Sequence, residues 1–194
     1  MLIVTLIPGF RDMSTVLDPP EPVYIFKKVF FLLFALHQRL PARARSNPNE
    51  KIPQVPDSHV LPMFVDNVLP TMCVHLGFID LSECSVPALR AWGAAATAAT
   101  GQATSETDGA KKKIREGPSL TAEEAYIVRA AALDAGRIAV ERAHALAAAS
   151  DGAGLSWLAD MTEADLDGYL WSVAKDDPEL RKVPRMVELG TVMY

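Results

Sequence analysis

From Thr121 to about Ala149 the sequence reads as one long helix, and an element of that length decides how the remaining segments can be packed. Thr121-Ala-Glu-Glu124 is a capping box, in which threonine supplies an oxygen to the third helical amide and Glu124 reaches back to the amide of Thr121. The alanine-rich body that follows has high helix propensity and lets neighbouring elements come close to the axis. A similar acidic start, Thr162-Glu-Ala-Asp165, predicts a further helix to about Lys175. Valine and isoleucine rarely alternate with polar residues, so the signature of half-buried strands is missing. With 194 residues, enough for one core and too few for two ordinary ones, the expectation is a single, mainly α domain.

Toward the N-terminus, Pro19, Pro20 and Pro22 close an irregular opening. Val23, Phe26, Phe30, Leu33 and Leu40 then recur at helical spacing, which predicts a core helix over 23–40. Residues 41–57, rich in Pro, Arg, Asn and Ser, read as a flexible surface loop. A second helix is expected to begin near Phe64 or Asn67 and to run through Val68, Met72, Val74 and His75 to a glycine stop at Gly77, with Pro70 early enough to be tolerated. Residues 85–100 read as a short alanine-rich helix, and 101–117 as a polar, flexible spacer with no apolar face to bury.

Composition removes several function classes. Hydrophobic residues at 49% and charged residues at 22% match a soluble globular protein. A formal charge of -5 argues against holding a long nucleic acid by phosphate neutralisation, and the basic cluster Lys111-Lys-Lys-Ile-Arg115 sits in the spacer, where a solvated loop accounts for it. Cys73 and Cys84 form neither a metal-ligand spacing nor a disulfide framework, and His37, His59 and His144 share no ligand-like spacing, so neither metal nor cofactor is expected. The apolar opening 1–8 lacks a basic region and a cleavage site, and reads as a cut-off internal segment rather than a signal peptide. The apolar run 29–36 is far too short to span a membrane. A cytoplasmic protein is expected.

Asp66 is the only charged residue between His59 and His75, and Met63, Phe64, Val65, Val68 and Leu69 flank it. A carboxylate among apolar neighbours is desolvated unless it is hydrogen-bonded, and such surroundings tune catalytic acids and bases. An aspartate ahead of Asn67 and an apolar stretch is also a good helix cap, and pattern alone favours the cap. Asp167 lies on a helix whose i−4, i+3, i+4 and i+7 neighbours are Glu163, Leu170, Trp171 and Ala174. It is either a boundary aspartate on an amphipathic helix or a carboxylate set beside aromatic surface. Tyr169 and Trp171 can stack on a base, although core packing is the commoner use of aromatics so spaced. His75 reads as a helix-end or core histidine. There is no P-loop, dinucleotide fingerprint or nucleophile elbow.

Four stretches, MFVDNVLPTMCVHLGFID (63–80), LTAEEAYIVRAAALDAG (120–136), DLDGYLWSVAKD (165–176) and TVMY (191–194), resemble the queuosine salvage protein family in order and spacing. The family's first segment usually reads Phe-Ala-Asp-Tyr-Arg-Val-Pro; Phe64, Asp66 and Pro70 keep its phenylalanine, aspartate and proline. Its third reads Asp-Tyr-Tyr-Leu-Trp-Asp, matched from Asp167 and Gly168 to Ser172, which stands where the family has its last aspartate. The resemblance implies an all-helical domain similar to the helix-hairpin-helix DNA glycosylases, incomplete at its N-terminus. It also implies hydrolysis of the N-glycosidic bond of queuosine 5'-phosphate, or queuosine, to release queuine. By the same resemblance Asp66 is the catalytic carboxylate, and Phe64, Asp167, Gly168 and Ser172 bind the base.

Such cleavage passes through a sugar oxocarbenium ion, which a fixed carboxylate can stabilise while it orients or deprotonates the attacking water. Queuine is a 7-deazaguanine, so protonation at ring nitrogen 7 is closed and electrostatics at the sugar must carry more. Asp167 can accept hydrogen bonds from the base, Phe64 can stack on its ring, and Ser172 can still accept a hydrogen bond. Family members carry a long N-terminal region with a histidine and an aromatic-rich segment that help to build the pocket, and nothing in this chain corresponds to it. A shortened, poorly active and association-prone product is the expectation. The alternatives are an inactive fragment of that hydrolase, a non-catalytic helical interaction module docking its apolar N-terminal segments on a partner protein of unknown identity, and a DNA-repair glycosylase, which the acidic balance disfavours.

Overall fold

The computed structural model describes residues 2–53, 55, 57–100, 117–149 and 154–191. It is mainly helical: α1 (Leu2–Leu6), α2 (Lys27–Ser46), α3 (Val68–His75), α4 (Pro87–Thr100), α5 (Ala122–Ala149) and α6 (Glu163–Asp176). Among the described residues no helix is long and apolar enough to cross a membrane. Most of the 101–117 spacer and the last three residues of the 191–194 stretch lie outside the described residues.

The long helix forms as its sequence dictates. Thr121 Oγ1 accepts the Glu124 amide while Glu124 accepts the Thr121 amide at 2.8 Å, closing the capping box. Thr162 and Asp165 close another ahead of α6. α3 stops at Gly77, whose φ of 78° is open to glycine at no steric cost.

Three expectations are corrected. Residues 23 and 24 are not helical: β1 (Met13–Val16) and β2 (Glu21–Tyr24) pair antiparallel, and Pro22 stands opposite Thr15. Helix formation is blocked there because the Asp12 carbonyl captures the Ile25 and Phe26 amides, and Phe26 takes a left-handed φ of 49°. Nor is α2 a core helix, since Val29 is its one buried residue and Phe31 is 56% exposed. Its C-terminus overruns the expected loop as far as Ser46. Pro41 removes one amide from the ladder, but Ala42 to Arg45 are good helix formers, and Arg43 grips Glu50 with two hydrogen bonds of 3.0 and 2.6 Å. A second pair of short strands also escaped the sequence: β3 (Ser119–Leu120) runs parallel to β4 (Val187–Glu188) and straps the C-terminal segment against α5.

The core gathers on α5. One side packs Tyr126, Ala132 and Val140 against Met63, Val65, Leu69, Leu166 and Leu170. The other packs Ala125 and Val128 against Leu89, Trp92, Leu120 and Met186. Gly136 admits Met63 so closely that a Cβ there would meet its sulfur at 2.8 Å. At the centre lies a fully buried ion pair: Arg129 donates to both carboxylate oxygens of Asp12, at 2.8 and 2.5 Å, and to the Val65 carbonyl at 3.0 Å. The Tyr126 hydroxyl also donates to Asp12, at 3.0 Å, and burial beside that carboxylate pushes the phenol's pKa up.

Removing one partner of such a pair strands a buried charge. Arg129→Met is expected to cost about 3–5 kcal/mol in urea denaturation, and Arg129→Met with Asp12→Leu to recover much of that loss. A single-variant loss under about 1 kcal/mol would contradict the central role given to the pair.

Candidate functional site

Between the 3-10 turn at Ser58–Val60 and α3, the chain crosses the core without regular structure, and side chains of two helices replace its missing backbone partners. Glu163 accepts the Met63 amide at 3.3 Å, Asp167 Oδ2 accepts the Phe64 amide at 2.7 Å, and Arg129 donates to the Val65 carbonyl. Leu166, Asp167, Leu170 and Ala174 form the inward face of α6, which carries the Asp167 carboxyl to this segment.

Asp66 follows, and its geometry is that of a helix cap with a cationic second partner. Oδ1 accepts the amides of Val68 at 2.7 Å and Leu69 at 3.4 Å, capping α3. Oδ2 faces the Lys27 ammonium at 3.1 Å. The residue is 7% exposed. Next to it Asn67 donates to the Met186 carbonyl at 3.2 Å, and Met186 donates to Thr71 Oγ1 at 3.1 Å, so β4 and its approach hold the start of α3. Arg185, in the same strap, donates to the Ala174 carbonyl at 2.7 Å; desolvation lowers its pKa, opposed by the Asp66 charge, and its buried Nη1 has no hydrogen-bond partner among the described residues.

Asp66, Asp167 and Phe64 are thus brought together. The Phe64 ring lies edge-on to Phe31 and tilted on Phe34, with centroids 5.8 and 5.4 Å apart. Burial pushes the Asp167 carboxyl up to about 6, against the Phe64 amide that stabilises its ionised form; the nearby Asp66 charge raises it further and Lys27 opposes. Glu163, one turn earlier, is also pushed up by burial.

Gly168 and Ser172 are not brought into this group. Both are exposed, a Cβ at Gly168 would meet nothing within 4 Å among the described residues, and Ser172 donates to Asp176 at 2.9 Å. Tyr169 and Trp171, read as core aromatics, are 65% and 42% exposed, because the inward face of α6 is held by its aliphatic residues. The Lys175 ammonium lies 3.1 Å from the Trp171 ring centre. His75 ends α3, half-buried, and His144 pairs through Nε2 with the Met161 carbonyl at 2.8 Å. Lys27, Arg129, Asp12 and Arg185 are the charged residues that sequence reasoning missed. A lysine followed by an apolar helix face was the one local signal for Lys27; the others announce themselves only through the fold.

No protein-family model, curated protein or solved structure matches the chain.

The raised pKa of Asp167 has a consequence for stability. The folded state holds this proton more tightly than the unfolded chain, so the stabilisation is complete below about pH 4 and is lost as pH rises through about 6. Asp167→Asn removes this titration yet keeps an oxygen for the Phe64 amide. Its stability relative to the parent is expected to climb between those limits by something on the order of 2 kcal/mol, read from urea curves at several pH values. A pH-independent difference would contradict the burial of Asp167.

Proposed function

We propose that this chain hydrolyses the N-glycosidic bond of queuosine 5'-phosphate, or of queuosine, releasing queuine, on a helical scaffold akin to the helix-hairpin-helix DNA glycosylases. One observation carries the reading. The family resemblance gives the chemistry to Phe64, Asp66 and Asp167, and Asp167, 103 positions beyond Phe64, is hydrogen-bonded to the backbone of the Phe64–Asp66 segment. Asp66 is held by two amides and buried, as befits a carboxylate that must be fixed before a cation develops. Phe31 and Phe34, packed on the buried Phe64 ring, supply an aromatic wall for the flat base.

Cleavage then proceeds by departure of the base from the anomeric carbon, with the sugar cation stabilised by Asp66. Water, oriented by the same carboxylate, adds to that carbon. The deazapurine ring of the substrate makes this electrostatic contribution the larger share of the work.

A second reading, a non-catalytic helical interaction module or an inactive form of the hydrolase, is favoured by two features. Asp66 has conventional partners in the α3 amides and Lys27, while α2 leaves Phe31 exposed.

Purified chain is expected to release queuine from queuosine 5'-phosphate, and Asp66→Asn to lower kcat by about 100-fold or more with its fold retained. Chromatographic detection of free queuine measures both. Folded protein that releases none sinks the hydrolase reading in favour of the interaction module, and an unchanged rate in Asp66→Asn removes Asp66 from the mechanism.

A further inference from the structure

We propose that the two carboxylates divide the chemistry, Asp167 delivering a proton to the departing base and Asp66 meeting the sugar cation, an inference that rests on the N-glycosidase reading above. The asymmetry lies in their partners. Asp66 receives three donors, the Lys27 ammonium on one oxygen and the Val68 and Leu69 amides on the other, and so serves purely as an acceptor. Asp167 is as deeply buried, yet among the described residues a single amide, that of Phe64, donates to it.

The charged groups around Asp167 reinforce the difference. Lys27 of α2 lies against Asp66 and lowers the pKa of Asp167 less than burial raises it. Arg185 of the C-terminal strap acts electrostatically on Asp66. On α6 itself Glu163 adds another acidic group, and Asp134, Arg137 and Glu141 of α5 act on Glu163. His59, on the 3-10 turn packed beside α6, is exposed. The Asp66 charge raises the Asp167 carboxyl further, and the Lys27 ammonium opposes it only in part. An Asp167 carboxyl pushed up to about 6 keeps an accessible protonated fraction near neutrality.

Sequence reasoning placed Asp167 as an acceptor for the base; the geometry points to a donor. The bond between the anomeric carbon and the base nitrogen breaks with its electron pair going to the base. Asp167 gives its proton to a heteroatom of the base, since the ring-7 nitrogen of an ordinary purine is absent. Water adds to the anomeric carbon, its proton passes to Asp66, and exchange with solvent restores both carboxyl groups. One water is consumed, and no oxidant or reductant takes part.

The test compares the full chain, Asp167→Asn and Asp66→Asn on two substrates. One is queuosine 5'-phosphate. The other is 4-nitrophenyl riboside 5-phosphate, whose leaving group departs as an anion without needing a proton. Asp167→Asn is expected to lower queuine release by about 100-fold and to lose the fall in kcat/KM above pH about 6, while nitrophenolate release drops less than about threefold. Asp66→Asn is expected to lose both activities. Equal losses on the two substrates in Asp167→Asn, or a surviving alkaline limb in that variant, would overturn the proton-donor role while leaving the glycosidase reading intact. A parent chain that cleaves nitrophenyl riboside 5-phosphate but not queuosine 5'-phosphate removes queuosine as the substrate and leaves the division of labour standing; one that cleaves neither overturns both.

Discussion

A guanidinium with no exposure to solvent sits where three segments meet, and the remaining structure is arranged around satisfying it. Arg129 reaches from α5 to Asp12, ahead of the β1–β2 hairpin, and to the carbonyl of Val65. Neither charge is tolerable alone in that interior, so the hairpin, the long helix and the Val65 segment must assemble together. The hairpin in turn fixes the start of α2: the Asp12 carbonyl takes the Ile25 and Phe26 amides, and the helix can begin only at Lys27. Lys27 therefore arrives opposite Asp66 through a chain of constraints beginning at Arg129.

The same logic explains why the candidate site lies in a stretch without regular structure. Residues 63–66 have no helix or strand to satisfy their backbone, and three side chains do so: Glu163, Asp167 and Arg129. A backbone held by charged side chains of two helices is fixed at the point where Asp66 leaves it. It also draws Asp167 into the interior, where ionisation is costly. Structural satisfaction of the backbone and chemical differentiation of the two carboxylates are one arrangement.

Much of the helical layout was legible because its signals are local. Thr121, Glu124, Thr162 and Asp165 act within one turn, and Gly77 ends α3 by its own backbone freedom. Asp66 was legible as an isolated carboxylate for the same reason. What escaped depends on distant partners. Val23 has helical spacing with Phe26 and Phe30, but the hydrogen bonds of the Ile25 and Phe26 amides to Asp12 and its pairing with Ser14 override it. The β3–β4 strap is two residues long on each side, too short for any periodicity. Arg129 looks like a surface residue on an alanine-rich helix until Asp12 is placed beside it. Trp171 misled in the opposite sense, since its spacing from Asp167 suggested a shared face while Leu170 and Ala174 take the interior.

On the glycosidase reading, the cap and the catalyst, competing readings of Asp66 in the sequence, fall on different oxygens of one carboxylate. Oδ1 is tied to the amides of Val68 and Leu69, a bond to backbone that moves only if α3 moves. Oδ2 is tied to Lys27, an ammonium on a flexible four-carbon stem whose side chain is 22% exposed. Near a protein surface two unit charges about 4 Å apart attract by about 4 kcal/mol, so an ammonium left in place would oppose a sugar cation about as strongly as the carboxylate favours it. On the glycosidase reading Oδ2 must exchange one cation for another, Lys27 withdrawing toward water as the sugar enters. Oδ1 can hold the carboxylate still during that exchange, which makes the helix cap the device that preorganises the site.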